Sequence, residues 1–386
     1  MGKLKLTELF VDIQKAYYNL LFTPRFPLGM TIYLTNACNL HCNFCEIGQQ
    51  NTLQKSQINS IELTKDSIDK IISLCKQVGI KRLYITGGEP FNSKNIWHLL
   101  EQCIYHNLII DDITTNGTFL YKFNDYEISL INKVVRDIII SIDSANESEH
   151  DKMRGVNGTF HQIQSFFLDN LKHAKFKNTF SFNVLVHSKN YLTLKEIINL
   201  AISWKIKHIN FQPLSPNTIF PDKVSLLDKN DYIKDLDINQ FIDEISQLSI
   251  YCRNKNLSTN LSVFKLWAST YFTHLNSQKT FFYQLPIKII CSKVFNYIHI
   301  DYRGNFLPCI NLKPIANTND KDLFIKWQKD AQKLKIFFLN KGYFKECNYC
   351  YCDFPINLRL SLIYFPISNI KYISKLIGYY LKRIFK

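Results

Sequence analysis

Six short, β-rich apolar runs alternate with amphipathic helical patterns along the first two-thirds of the chain. This alternation restricts the fold more than any other feature. The runs cover 30–34, 82–85, 108–114, 137–142, 180–186 and 206–211. Between them, apolar residues recur at helical spacing. Ile68, Ile71, Ile72, Cys75 and Val78 follow a capping Thr64; then come 96–105, 126–134, and Ile163, Phe166, Phe167, Leu171 and Ala174. A capping box is expected at Thr193 and Glu196, opening the next helix, and 242–252 supplies the last. Strands separated by helices pair in parallel through right-handed crossovers. The pattern alone admits a doubly wound sheet or a barrel, and in both, sites gather at the C-terminal ends of strands.

Chemistry-bearing residues fall at those ends. Cys38, Cys42 and Cys45 follow the first run with the spacing C-x3-C-x2-C. A closed structural metal site uses four protein ligands. Three thiolates can instead hold three irons of a cubane iron–sulfur cluster and leave the fourth open to an outside ligand; part of a zinc site is the alternative. Gly87-Gly88-Glu89-Pro90 follows the second run. Its glycines allow the backbone to approach a ligand, and its carbonyls and carboxylate suit an ammonium. Thr115-Asn116-Gly117 ends the third run, and Ser141 and Asp143 end the fourth, on one face by strand alternation. Arg154 lies in the run 149–155 and carries a fork suited to a carboxylate. Asn183 and Gln212, in the fifth and sixth runs, are either ligand contacts or ordinary core and rim amides.

In this order the motifs resemble the signature of the radical S-adenosylmethionine (radical SAM) enzymes. Phe44, just before the last cysteine, is part of the likeness. The resemblance implies an α/β fold with a partial (β/α)6 TIM-type barrel, to which the sequence pattern adds a small C-terminal cysteine-rich module and an amphipathic C-terminal helix. It implies a 4Fe-4S cluster on Cys38, Cys42 and Cys45, with SAM bound at its open iron. It also implies reductive cleavage of SAM to a 5′-deoxyadenosyl radical that abstracts hydrogen from a substrate. SAM would be held by Phe44, Gly87, Gly88, Glu89, Pro90, Asn116, Ser141, Asp143 and Arg154. A one-electron donor such as flavodoxin or ferredoxin is the implied partner.

Five further cysteines, Cys291, Cys309, Cys347, Cys350 and Cys352, form a second group. Stretches 297–301 and 306–310 alternate like strands around a turn at Tyr302-Arg303-Gly304-Asn305, a hairpin that lets Cys291 approach Cys309. The C-x2-C pair at Cys347 and Cys350 suits zinc or iron–sulfur. This resembles the auxiliary-cluster module of radical SAM enzymes, called SPASM in its full form and twitch in its half form. One further 4Fe-4S cluster on Cys291, Cys309, Cys347 and Cys350 is expected, with Cys352 as alternate and zinc as the other metal open. Cys75, Cys103 and Cys252 fall in helical patterns and read as buried apolar residues.

The expected organisation is an N-terminal amphipathic helix (1–25), the barrel (26–255), a connector (256–285), the cysteine module (286–352) and a basic tail (353–386). An odd cysteine count of 11 and no signal-peptide pattern point to a reducing cytoplasm. The net charge of +15 is spread along the chain, with no basic groove of the kind that binds nucleic acid. In the tail, Ile373, Leu376, Ile377, Tyr380, Leu381 and Ile384 oppose Lys371, Lys375, Lys382 and Lys386. Such a helix either docks on an anionic membrane surface from the cytoplasmic side or packs on the barrel. The short stretch before the first strand leaves no room for a fused leader-peptide-binding domain, so a peptide substrate would come with a separate partner. The substrate class stays open between a peptide or protein and a cell-envelope or sugar metabolite. An RNA-modifying radical SAM enzyme and a non-enzymatic zinc-thiolate protein are the competing readings.

Overall fold

The structure is a computed structural model that describes residues 6–45, 47–48, 60–214, 237–262, 264–265, 291–340, 344 and 347. Cys350, Cys352, the expected tail and most of the expected connector lie outside the described residues. Helix α1 (Leu6–Leu21) leads into β1 (Gly29–Tyr33). Five helix-linked strands follow. They are α2 (Lys65–Val78) to β2 (Arg82–Thr86), α3 (Ile96–Tyr105) to β3 (Ile109–Thr115), and α4 (Asp125–Val134) to β4 (Val135–Ser141). Then α5 (Glu147–Arg154) and α6 (Thr159–His173) precede β5 (Thr179–Val186), and α7 (Leu194–Ser203) precedes β6 (His208–Pro213). Helix α8 (Ile238–Asn254) and β7 (Ser258–Thr259) close this half. The C-terminal half has α9 (Lys293–Asn296), β8 (Tyr297–Ile300), β9 (Asn305–Leu307), β10 (Ala316–Asn317) and α10 (Leu323–Asn340).

All these strands belong to one sheet, in the order β10-β9-β8-β1-β2-β3-β4-β5-β6-β7. From β8 to β7 the pairing is parallel, and only β9 and β10 run antiparallel. This is the expected α/β partial (β/α)6 barrel. One face of each strand is apolar and sealed by helices: Met30, Ile32, Leu83, Ile85, Ile138, Ile140, Phe182, Val184, Ile209 and Phe211 are all buried. Alternate residues on the other face are mostly polar, among them Thr31, Tyr84, Asp112, Ser181, Asn183 and Asn210. The inner face of the sheet is therefore polar, set against a dry outer layer.

Several local signals decide differently from the expectation. Thr193 precedes α7 but forms no capping box; its hydroxyl donates instead to the Asn190 carbonyl. A capping box does form at Asn124 and Glu127, where Asn competes as well as Thr for the role. Helix α5 has no apolar periodicity, so its caps make it: Asn146 accepts from the Glu149 N–H, acids fill the first turn, Lys152 and Arg154 the last, and Gly155 ends it at φ 71°. Strand β7 falls where a connector was expected and adds an edge to the sheet through β6.

The hairpin of β8 and β9 forms as expected, but β8 also pairs with β1, Thr31 lying beside His299. The cysteine-rich half thus shares the barrel's sheet. The N-terminal segment reinforces this join. Asn19, fully buried, donates to the Phe26 carbonyl at 2.8 Å and to Asn296 Oδ1 at 3.0 Å, and accepts from the Arg25 and Phe26 N–H groups. From α10, Lys335 donates to the Asn19 and Phe22 carbonyls at the C-terminal end of α1. Replacing Asn19 by Ala strands these groups in a buried place, so Asn19→Ala is expected to cost about 1–3 kcal/mol, read as a lowered urea midpoint.

Candidate functional site

The cysteine loop leaves the C-terminal end of β1 and is clamped from two sides by backbone. On one side, the Leu34 N–H donates to the Thr86 carbonyl at 2.9 Å, Gly88 to Thr35 at 2.7 Å and Glu89 to Ala37 at 2.8 Å. A side chain on Gly88 would put its Cβ 2.2 Å from the Ala37 carbonyl oxygen, and Gly87 is pressed in the same way against Thr35. The close approach these glycines permit is thus made to the chain's own cysteine loop. On the other side, the loop caps α5: His41 N–H donates to the Arg154 carbonyl and Asn43 N–H to the Met153 carbonyl, both at 3.1 Å. Gly155 packs against His41, with 2.4 Å from an added Cβ to the His41 oxygen.

The three thiols lie close enough to interact electrostatically with one another. Burial pushes the Cys42 thiol up to about 11, partly offset by Arg154, and pushes Cys38 higher still, with Glu89 adding to the effect. Such sulfurs stay protonated until a cationic centre binds them. Donors already point at them: Leu40 N–H at 3.4 Å and Asn116 Nδ2 at 3.9 Å from Cys38 Sγ, and Arg154 Nη1 at 3.8 Å from Cys42 Sγ. No group of three or more His, Cys, Asp or Glu among the described residues is arranged for a single metal ion. A sulfur-only donor set with N–H groups aimed at the sulfurs fits an iron–sulfur cluster.

Around the thiols stand the expected pocket residues. Glu89 is buried, and its carboxylate accepts from Asn116 N–H and Thr115 Oγ1 at 2.8 Å and from Phe91 N–H at 3.1 Å. Desolvation pushes it up to about 7 despite these donors. Pro90 opens a short 3-10 turn behind it. Asn116 also donates to Asn39 Oδ1 at 2.8 Å and accepts from Thr118 through N–H and hydroxyl. Asp143 and Arg154 meet at 2.7 Å, both buried, and the guanidinium lies 5.4 Å from the Phe44 ring centroid. Burial works against the Arg154 charge, but Asp143 outweighs it and raises its pKa. Ser141 ends β4 half-buried, whereas Asp143, two residues on, accepts from the Leu185 N–H at 3.2 Å. Thr35, Asn39, Thr115, Thr118 and Gly155 were not singled out in the sequence; Thr115 and Gly155 sat inside motifs that were, and the other three carried no signal.

Residues 32–201 match the radical SAM superfamily. They are a radical SAM domain. GTP 3′,8-cyclase of Brucella ovis is 31% identical over 121 residues, covering 30% of this chain and 33% of that protein. The enzyme of Brucella canis matches to the same extent. The chain thus spans about a third of the length of these curated relatives. Streptococcus suis SuiB superposes with a TM-score of 0.60 at 20% identity, over 91% of this chain and 79% of that one. The structure described as native anSMEcpe with bound AdoMet gives 0.57 at 16% identity, over 84% and 87%. These two likenesses show that the fold extends beyond the radical SAM domain into the C-terminal half.

In that half, Cys291 is buried just before α9, while Cys309 and Cys347 are partly buried against the core. No helix of the described residues is long and apolar enough to cross a membrane.

Gly88→Ala is expected to displace the cysteine loop, so that anaerobic reconstitution loads less than half the iron of the parent protein. Glu89 sets a pH effect on the cluster-free protein. Its folded pKa stands above the ordinary 4.5, so the stability it contributes is complete below pH 4.5 and is lost as pH rises through about 7. Urea titrations across that window should show a shallower decline for Glu89→Gln.

Proposed function

We propose that this chain is a radical SAM enzyme acting on a peptide or protein, with the catalytic cluster on Cys38, Cys42 and Cys45. The observation that carries this reading is three mutually interacting thiols on a loop clamped between the strand-end motifs, with N–H donors on the Cys38 and Cys42 sulfurs. When bound, the cluster and SAM supply a 5′-deoxyadenosyl radical that abstracts hydrogen.

The chain's own residues hold and orient the cofactor. The carboxylate of Glu89 and the loop carbonyls beside Gly87, Gly88 and Pro90 receive the methionyl ammonium. That cation offsets the cost of ionising a buried Glu89. Arg154 stays charged on Asp143 and offers its remaining N–H groups to the methionyl carboxylate, with Phe44 as its platform. Its Nε has no partner among the described residues, which leaves a donor to spare. Asn116 and Ser141 contact the nucleoside end. Cys291, Cys309, Cys347 and Cys350 hold a second 4Fe-4S cluster of SPASM or twitch type, with Cys352 as alternate.

Support for a peptide substrate comes from the likenesses in fold. SuiB has been solved with its precursor peptide SuiA and superposes over 89% of this chain, and anSMEcpe has been solved with a peptide. The GTP 3′,8-cyclase likeness reaches only 30% of the chain, so it supports the SAM-binding half alone. A flavodoxin or ferredoxin supplies the electron, and the protein works in the cytoplasm.

Anaerobic reconstitution with iron and sulfide tests the reading. A brown protein that releases 5′-deoxyadenosine from SAM on reduction is expected, and Cys42→Ala should lower that release by at least a hundredfold. A colourless zinc protein indifferent to SAM would contradict it.

A further inference from the structure

One row of the barrel interior is unlike the rest. Reading across the sheet by register, His299 of β8 lies beside Thr31 of β1, Thr31 beside Tyr84 of β2, Tyr84 beside Asp112 of β3 and Asp112 beside Asp137 of β4. Strand alternation puts this row on the interior face, because the residues flanking it, Ile298, Ile300, Ile32, Leu83, Ile85 and Ile138, are sealed in the outer core. Asp112 stands four residues before Asn116, so the row lies roughly 13 Å of strand below the proposed cofactor loops.

The row carries two carboxylates and one imidazole. His299 is 1% exposed, and neither ring nitrogen has a hydrogen-bond partner among the described residues. A buried polar group left in this way costs free energy unless a ligand meets it. Burial lowers its pKa, so the ring is neutral and keeps an acceptor nitrogen. Asp137 accepts from Thr179 Oγ1 at 2.8 Å and Ser181 Oγ at 2.6 Å. No hydrogen bond from a described residue reaches the Asp112 carboxylate, and burial, with Asp137 beside it, pushes that group up to about 7.

Lys293 lies 5.9 Å from the Tyr297 ring at the His299 end of the row, and the two nearby arginines are committed one layer down. Arg82 pairs with Asp12 of α1 and with Asp111, and Arg136 pairs with Asp111 at 2.9 Å. Two arginines therefore answer two carboxylates there, and Asp112 and Asp137 form no ion pair among the described residues. Tyr84 and Tyr297, their ring centroids 6.2 Å apart over Gly29, wall this end of the row with aromatic surface.

We propose that this row is the floor of the substrate site and that it receives a cationic hydrogen-bond donor, a primary ammonium or guanidinium group of the substrate. Asp112 takes the charge, the His299 acceptor nitrogen takes an N–H, and the Tyr84 and Tyr297 rings pack against the chain that carries it. The inference rests on the radical SAM reading and gives its substrate a chemical class.

The test uses the reconstituted full chain with SAM, without oxygen, and four blocked tripeptides with lysine, arginine, leucine or glutamate between two glycines. Saturation-transfer NMR or calorimetry should find saturable binding of the lysine and arginine peptides and none of the other two. Asp112→Asn and His299→Phe should each weaken that binding at least tenfold, and Asp112→Glu should restore most of it. Thermal midpoints check folding, and if Asp112→Asn does not fold, His299→Phe, which removes the acceptor, carries the same expectation. Equal binding of all four peptides, binding of none, or variants that bind like the parent overturns the proposal. The parent protein's release of 5′-deoxyadenosine, measured separately without peptide, tells whether the underlying radical SAM reading has failed instead.

Discussion

The site depends on backbone contact between the cysteine loop and its neighbours. A loop bearing three cysteines has no reason of its own to hold them on one small volume, since ordering each residue costs about 1–2 kcal/mol of conformational entropy. Here the cost is met by pairing. The loop's carbonyls at Thr35 and Ala37 accept from the Gly88 and Glu89 N–H groups, and its N–H groups at His41 and Asn43 close the open end of α5. Both sets of partners would otherwise be orphaned, the first at the end of a strand and the second at the end of a helix. The sulfurs are thus placed by main-chain hydrogen bonds, and side chains enter only to tune them.

That scaffold explains why charge can be tolerated so deep. Arg154 sits on the last turn of the helix the loop caps, so the contact that fixes the loop also fixes the guanidinium beside Cys42. Asp143, buried against it, keeps the pair neutral overall. A lone buried charge of either sign would shift its pKa and neutralise, whereas the pair keeps a donor at hand for a carboxylate. Glu89 is the counterpart: three donors hold it and no cation among the described residues pairs with it, which leaves it poised for one.

Much of this was legible in the sequence, for reasons that differ by residue. The six strand–helix units were visible because apolar periodicity is a local property, and β1 to β6 fall within a few residues of the expected runs. The motif residues were visible because their types and order are specific. Helix α5 was hidden as a helix, since a charged eight-residue segment has no apolar stripe and is made by its caps. Strand β7 is two residues long and leaves no periodic trace. The pairing of β8 with β1 joins positions nearly 270 residues apart, and no local rule carries that information. Thr193 shows the reverse error, a correct motif for a cap whose hydroxyl turns back to donate to the Asn190 carbonyl and accepts nothing from the helix.

Composition also misleads about the interior. A net charge of +15 suggests a protein that seeks anions, yet Arg82 and Arg136 in the barrel's lower layers are spent on Asp12 and Asp111. Formal charge is a property of the surface, where lysines stand in water and are screened within about 10 Å at ordinary salt. Inside, the effective dielectric falls and each unpaired carboxylate counts for more than several exposed lysines. The register that brings Asp112 beside Asp137, and His299 beside Thr31, therefore fixes the sign of the field a substrate meets. Because β8 belongs to the cysteine-rich half and β1 carries the cysteine loop, that same pairing ties the wall of the proposed substrate site to the scaffold of the cluster. A shift of β8 by one residue would turn His299 out of the interior and unseat the hairpin that leads to Cys309.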